Sequence, residues 1–252
     1  MDFRKIFDTI PKQFDKYRPR YCTELFANLI KYAHLNESKS VLEIGPGTGQ
    51  ATEPILQTGC CYTAIELGEN FVAEMKNKFD KLSNFSIIHG DFITHDFSCK
   101  KFDLIYSSAT IQWIDEEIAF SKTFDLLKPG GVLAMMYTVG DYKTTNEDLY
   151  DKIQEVYSKY FKPEIEYKNG SFGYTNATKY GYINLEKREF SGTREFNAED
   201  YVGYCGTHCT HLVIPEPYKT KFFDQLRETV LKNGNKVVFK DNYVLYLAKK
   251  PL

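Results

Sequence analysis

The spacing of apolar residues changes period repeatedly along this chain. Residues 20–33 (RYCTELFANLIKYA) set Tyr21, Leu25, Leu29 and Tyr32 on one stripe at helical spacing, which predicts a helix. SVLEIG then forms a short apolar run ended by glycine, the pattern of a strand. ATEPILQTG predicts a short helix and CYTAIEL a second strand. ENFVAEMKNKF carries Phe71, Met75 and Phe79 on one helical face. FSIIHGD and KFDLIYSSA predict the third and fourth strands. EEIAFSKTFDLLKPGG predicts a helix stopped by Pro129 and the glycines after it. GVLAMMYTV is apolar almost throughout, as in a parallel strand covered on both faces.

The pattern loosens after residue 140. Residues 145–161 predict a helix, 162–182 are rich in turn formers, and INLEKREF (183–190) predicts a strand. NAEDYVGYCGTHCTHLV predicts a helix opened by Asn197 as its N-cap, and PEPYKTKFFDQLRETVLKN another. NYVLYLAKK alternates Tyr243, Leu245 and Leu247 against Val244, Tyr246 and Ala248, like a final strand. Strands alternating with helices over 38–140 imply βαβ units, hence an α/β fold with a doubly wound parallel sheet. The 141–240 stretch is expected to be a helical cap or insertion on that sheet, inside one domain covering 1–252.

Composition narrows the function classes. The 252 residues suffice for a sizeable core, and a formal net charge of −2 gives nothing to steer the chain to nucleic acid or an anionic membrane. The N-terminus is charged and lacks an apolar signal region, and no run reaches the roughly 18 apolar residues a membrane span needs. Six irregularly spaced cysteines suit reduced thiols in a cytoplasmic protein. Nothing in the pattern fixes an oligomeric state.

The candidate chemistry starts at VLEIGPGTG (41–49). A phosphate-binding P-loop needs a lysine after the last glycine, and none follows Gly49. A dinucleotide fingerprint counted from Gly45 puts Gln50 where its third glycine belongs, which disfavours an NAD-dependent dehydrogenase. The actual spacing places Glu43 ahead of three alternate glycines, Gly45, Gly47 and Gly49. Such glycines let backbone approach a ligand closely. A carboxylate repels pyrophosphate but suits a sulfonium or ammonium, which favours S-adenosylmethionine over a nucleotide phosphate. Glu66 ends the second strand, where an acid accepts ribose hydroxyls. Asp91 follows the third strand and is suited to an adenine amino group, with Phe92 or Leu67 against the base.

With these segments in hand, the sequence resembles the class I S-adenosylmethionine-dependent methyltransferases of small-molecule type, related to the ubiquinone-biosynthesis and trans-aconitate enzymes. VLEIGPGTG, AIELGENFV, HGDF, FDLIYSSATIQWID and LLKPGGVLAM carry the resemblance in order, and FDKYRPRY precedes them; together they span about 14–140, the expected cofactor-binding core. The resemblance implies a Rossmann-like methyltransferase fold with a mostly parallel, seven-stranded sheet. It implies that Gly45, Gly47 and Gly49 line the methionyl part, that Glu43 holds its amino group through water, and that Glu66 binds the ribose. It also implies that Asp91 and Phe92 bind adenine, that Ser107, Ser108 and Ala109 face the cofactor, and that Tyr17 and Arg18 close over the methionine carboxylate. Trp113 is expected at the edge of the acceptor pocket or in the core beneath it.

YCGTHCTH (204–211) invites a metal reading, with Cys205, His208 and Cys209 on one helical face, but matches no zinc-finger spacing, so no metal is assigned. The resemblance makes this segment a lid over the acceptor, with Tyr204 and His208 binding substrate and His208 the candidate general base. SSAT stands where nucleic-acid amino methyltransferases carry N-P-P-[YF]. The expected reaction is therefore methylation of an oxygen, carbon or carboxylate of a small molecule, with no nucleic-acid or membrane partner. A cofactor-binding regulator or pseudoenzyme on this fold would keep the same loop.

Overall fold

The structure, a computed structural model, describes residues 2–165 and 172–252. A short 3-10 helix (Phe3–Thr9) leads into α1 (Pro11–Tyr17) and α2 (Thr23–Tyr32), followed by β1 (Ser40–Ile44) and α3 (Thr52–Leu56). Then come β2 (Cys61–Glu66), α4 (Glu69–Phe79), β3 (Phe85–His89), β4 (Phe102–Ser108), α5 (Glu116–Leu126) and β5 (Leu127–Asp141). After α6 (Glu147–Tyr160) the chain forms a 3-10 segment (Tyr174–Tyr180), β6 (Ile183–Phe196), α7 (Ala198–Cys205) and the one-turn α8 (Cys209–Leu212). It ends with α9 (Tyr218–Lys232) and β7 (Val237–Lys249). Of the turn-rich stretch expected at 162–182, residues 166–171 lie outside the described residues.

The seven strands make one sheet in the order β3-β2-β1-β4-β5-β7-β6. β1 pairs in parallel with both β2 and β4, β2 with β3, and β4 with β5. From β1 the chain steps outward to β2 and β3, then returns to β4 on the other side. The direction of winding therefore reverses between β1 and β4, the place where open α/β sheets hold ligands at the carboxyl ends of their strands.

Contacts divide the chain into two compact units. The larger takes Pro19–Thr138, Gly170–Phe190 and Tyr243–Leu252. Alternate strand residues feed two apolar layers in it: Val41, Leu104 and Ala134 pack with Leu25, Leu29 and Met75, whereas Leu42, Ile105 and Leu133 pack with Ala119, Phe120 and Tyr182. Continuous burial on both faces is why β1, β4 and β5 read as apolar runs. The smaller unit takes Met1–Arg18, Val139–Asn169 and Ser191–Asn242. Its core joins Ile153 and Val156 of α6, Tyr201 and Cys205 of α7, and Phe222, Leu226 and Val230 of α9.

Three departures from the sequence expectation matter. β5, β6 and β7 are longer than expected and contribute residues to both units. Tyr21 precedes α2 rather than lying on it. The helix expected across 197–213 is broken: Asn197 caps α7 as expected, accepting from the Asp200 N–H at 2.9 Å, but α7 ends at Cys205. The Thr207 hydroxyl donates to the Tyr204 carbonyl at 2.6 Å, and His208 becomes the N-cap residue of α8. Cys205, His208 and Cys209 thus do not share one continuous helical face, and among the described residues no group of three or more His, Cys, Asp or Glu is arranged to hold a metal.

Candidate functional site

In the larger unit the loop after β1 is shaped by its glycines. Gly45, Gly47 and Gly49 have φ of +64°, +58° and +88°, left-handed values that L side chains rarely adopt. A Cβ on Gly45 would stand 2.3 Å from Cγ2 of Thr110, whose hydroxyl donates to the Gly45 carbonyl at 3.0 Å. A Cβ on Gly49 would meet Met75 and Phe79 of α4 at 3.0 Å, so that glycine lets α4 dock.

Glu66, at the end of β2, holds the same loop. Its Oε2 accepts from the Gly47 N–H and its Oε1 from the Gly68 N–H, both at 2.9 Å. Asp91 follows β3 and stays half-buried, its Oδ1 accepting from the Ile93 N–H at 2.9 Å. Leu67 is half-buried, while Phe92 is buried against Phe97, with Lys122 Nζ 5.2 Å from its ring centre. At the end of β4, buried Ser107 donates to the Ile44 carbonyl at 3.1 Å, and half-buried Ser108 donates to the Tyr21 hydroxyl at 2.8 Å. Exposed Ala109 follows with φ +51°, and Trp113 ends a 3-10 turn, half-buried. The carboxyl ends of β1, β2, β3 and β4 thus bring Gly45, Gly47, Glu66, Asp91 and Ser108 to one edge of the parallel sheet, around its switch point.

Glu43 has a different setting. It is fully buried, with Oε2 accepting from the hydroxyls of Thr52, at 2.6 Å, and Tyr62. Tyr62 in turn bonds Tyr106, whose hydroxyl also reaches the Ala51 carbonyl at 3.3 Å. Among the described residues Oε1 has no hydrogen-bond partner. Burial pushes the carboxyl up to about 7, against the pull of the Thr52 and Tyr hydroxyls. This network ties β1, β2 and β4 to the start of α3. It is not legible in the local pattern, because Tyr62 and Tyr106 read as ordinary strand aromatics.

Tyr17, Arg18, Tyr204 and His208 belong to the smaller unit. The Tyr17 ring lies on Gly203 of α7, where a Cβ would come within 2.3 Å of it. Arg18 donates to the Thr207 carbonyl, with its guanidinium carbon 5.2 Å from the Phe14 ring centre. Tyr204 and His208 meet edge-to-face at 4.7 Å. His208 Nδ1 lies 3.1 Å from the Cys205 carbonyl, which can only accept, so Nδ1 carries the proton and Nε2 presents a lone pair. Burial, with the Arg18 charge next, holds His208 well below the usual histidine range. His211, hydrogen-bonded through Nε2 to Tyr157 at 2.8 Å, is pushed down to about 3 by the same causes. These four residues therefore form one group, and the glycine loop with Glu66, Asp91 and Ser108 another.

The donor set at the sheet edge fits a nucleoside-bearing cofactor. The loop presents backbone in conformations that disfavour side chains, and Glu66 and Asp91 place carboxylates at the ends of neighbouring strands. Comparison with known proteins agrees. Residues 42–135 match the family described as "Methyltransferase domain". The malonyl-[acyl-carrier protein] O-methyltransferase 2 of Ilyobacter polytropus is 30% identical over 131 residues, 51% of this chain and 47% of that protein. The chain thus spans about half the length of such relatives. The ribosomal RNA small subunit methyltransferase A of Borreliella afzelii is 24% identical over 241 residues, 88% of this chain and 77% of that protein. Among solved structures, phosphoethanolamine N-methyltransferase 2 of Haemonchus contortus, in complex with phosphomonomethylethanolamine and S-adenosylhomocysteine, superposes with a TM-score of 0.58 at 18% identity. That match covers 99% of this chain and 60% of the other.

Proposed function

With residues 42–135 a class I S-adenosylmethionine-dependent methyltransferase domain, we propose that the protein methylates a small-molecule acceptor in the cytoplasm. The observation that carries the reading is the convergence of the left-handed glycine loop, Glu66 and Asp91 at the carboxyl edge of the parallel strands. S-adenosylmethionine, when bound, supplies a methyl group on a sulfonium, ready for displacement.

The chain's own residues do the rest. Gly45 and Gly47 admit the methionyl backbone, Glu66 accepts from the ribose hydroxyls, and Asp91 accepts from the adenine amino group. Ser107, Ser108 and Leu67 border the same edge. Glu43 acts through the loop it underpins, because its carboxyl is engaged with Thr52 and Tyr62.

In the smaller unit Tyr204 and His208 recognise the acceptor. His208 is suited to take a proton from a hydroxyl: it is neutral, its Nδ1–H is fixed by Cys205, and Nε2 is an acceptor. No helix among the described residues is long and apolar enough to cross a membrane. A small acceptor, rather than RNA, is supported by the net charge of −2 and by SSAT after β4.

The test is to incubate the protein with methyl-labelled S-adenosylmethionine and either a fractionated small-molecule extract or total RNA. Label in the small-molecule fraction is the expected result. Label confined to RNA refutes the acceptor class, and label in neither refutes methyl transfer.

A further inference from the structure

Arg194 of β6 is half-buried, and one nitrogen of its guanidinium is buried with a donor left over. Its Nε and Nη2 hold Asp241 of β7 as a two-pronged pair, Nη2 to Oδ1 at 2.9 Å. Among the described residues its buried Nη1 has no hydrogen-bond partner. The rings of Phe196, Tyr204 and Phe239 surround the guanidinium carbon at 5.2, 5.0 and 5.3 Å. Gly140 makes room for the pair: a Cβ there would stand 2.9 Å from Phe239 and 3.1 Å from Asp241 Oδ1. A cross-strand ion pair alone needs only two of the five N–H donors of arginine, and a permanently charged group with a spare donor among aromatic rings is suited to one more oxygen.

We propose that the smaller unit contains an oxyanion-recognition site for the methyl acceptor, in which Arg194 Nη1 binds a carboxylate or phosphate oxygen beside Tyr204 and His208. The inference rests on the acceptor reading above. Tyr204 links the parts, lying under Arg194 on one side and 4.7 Å from His208 on the other. Arg18 and Arg194 both oppose the protonation of His208. Asp241 is engaged on both oxygens by the same guanidinium, so it leaves Nη1 free to act on a second anion. Arg194 is thus a specificity-determining residue that orients the acceptor by its charged end.

The experiment titrates the whole protein, saturated with S-adenosylhomocysteine, with octanoate, citrate and inorganic phosphate, and with octanamide as the uncharged control. Arg194→Gln is run alongside. Because that change leaves Asp241 buried without its partner, the double variant Arg194→Met/Asp241→Leu replaces the pair by apolar groups and keeps the test alive if the single variant unfolds. At least one anion should bind saturably, octanamide should not, and affinity should fall tenfold or more in the variant that folds, with S-adenosylhomocysteine affinity unchanged. Preference for octanoate or citrate over phosphate identifies a carboxylate end, and the reverse a phosphoryl group. Equal anion binding in the variant, or no anion binding while S-adenosylhomocysteine binds, overturns the site and leaves the methyltransferase reading standing. Anion binding without S-adenosylhomocysteine binding overturns that reading instead.

Discussion

Replacing Glu43 with glutamine tests whether a buried acid lies beneath the glycine loop. Glu43 is fully buried and its carboxyl is pushed up to about 7 from 4.5. The sign follows from proton counts. Below pH 4.5 both folded and unfolded states hold the proton, so there is no penalty. Between 4.5 and 7 the unfolded chain releases it while the folded chain keeps it, so stability falls as pH rises; above 7 the loss is complete. A raised value of this size corresponds to about 3 kcal/mol in all, of which about 2.5 kcal/mol falls between pH 5 and pH 8. In Glu43→Gln the amide oxygen still accepts from Thr52 and Tyr62, and the amide nitrogen takes the place of Oε1, which has no partner. That buried N–H costs about 1–3 kcal/mol at every pH. The variant should therefore be less stable than the parent at pH 5 and close to it, or more stable, at pH 8. Urea unfolding at intervals between those values reads the difference directly, and the histidine titrations, common to both proteins, cancel. A difference constant with pH would refute a buried carboxyl of raised pKa at this position.

Other perturbations address the proposed roles. Gly45→Ala places a Cβ into Thr110 at a left-handed φ and should cost about 2–3 kcal/mol in thermal or urea unfolding, part of it recovered by adding Thr110→Ser, which removes the clashing methyl. Asp91→Ala should weaken S-adenosylhomocysteine binding roughly tenfold in calorimetry, the worth of one hydrogen bond, and leave folding intact. His208→Ala should lower kcat by about 100-fold or more for a hydroxyl acceptor without changing cofactor affinity. In the parent enzyme the acid limb of the rate profile should lie below the usual histidine value of 6.5, since the folded protein keeps His208 neutral.

How much of this was written in the sequence depended on the reach of each interaction. The βα alternation over 38–140 was legible because those strands are covered on both faces and read as apolar runs. β6 and β7 were legible only where they lie in the larger unit: INLEKREF ends at 190 and NYVLYLAKK begins at 242, close to where those strands pass from one unit to the other. Their other halves, SGTREF and VVFKDN, carry charges and a glycine that local pattern assigns to loops. The glycine loop and Glu66 were legible from spacing alone. The Glu43–Tyr62–Tyr106 network and the Arg194–Asp241 pair were not, since each joins residues from separate strands whose partnership only the sheet order creates. The break between α7 and α8 was missed because Thr207 closes it through its own side chain.

The most direct test of the central claim is a calorimetric titration with S-adenosylmethionine, S-adenosylhomocysteine and NAD, on the parent protein and on Gly47→Val. Gly47 has φ +58°, which valine resists, and its N–H donates to Glu66. The account predicts single-site binding of the first two ligands, none of NAD, and loss of binding in a variant that still folds. Unchanged affinity in Gly47→Val, or a parent protein that binds NAD and neither adenosyl compound, would contradict it.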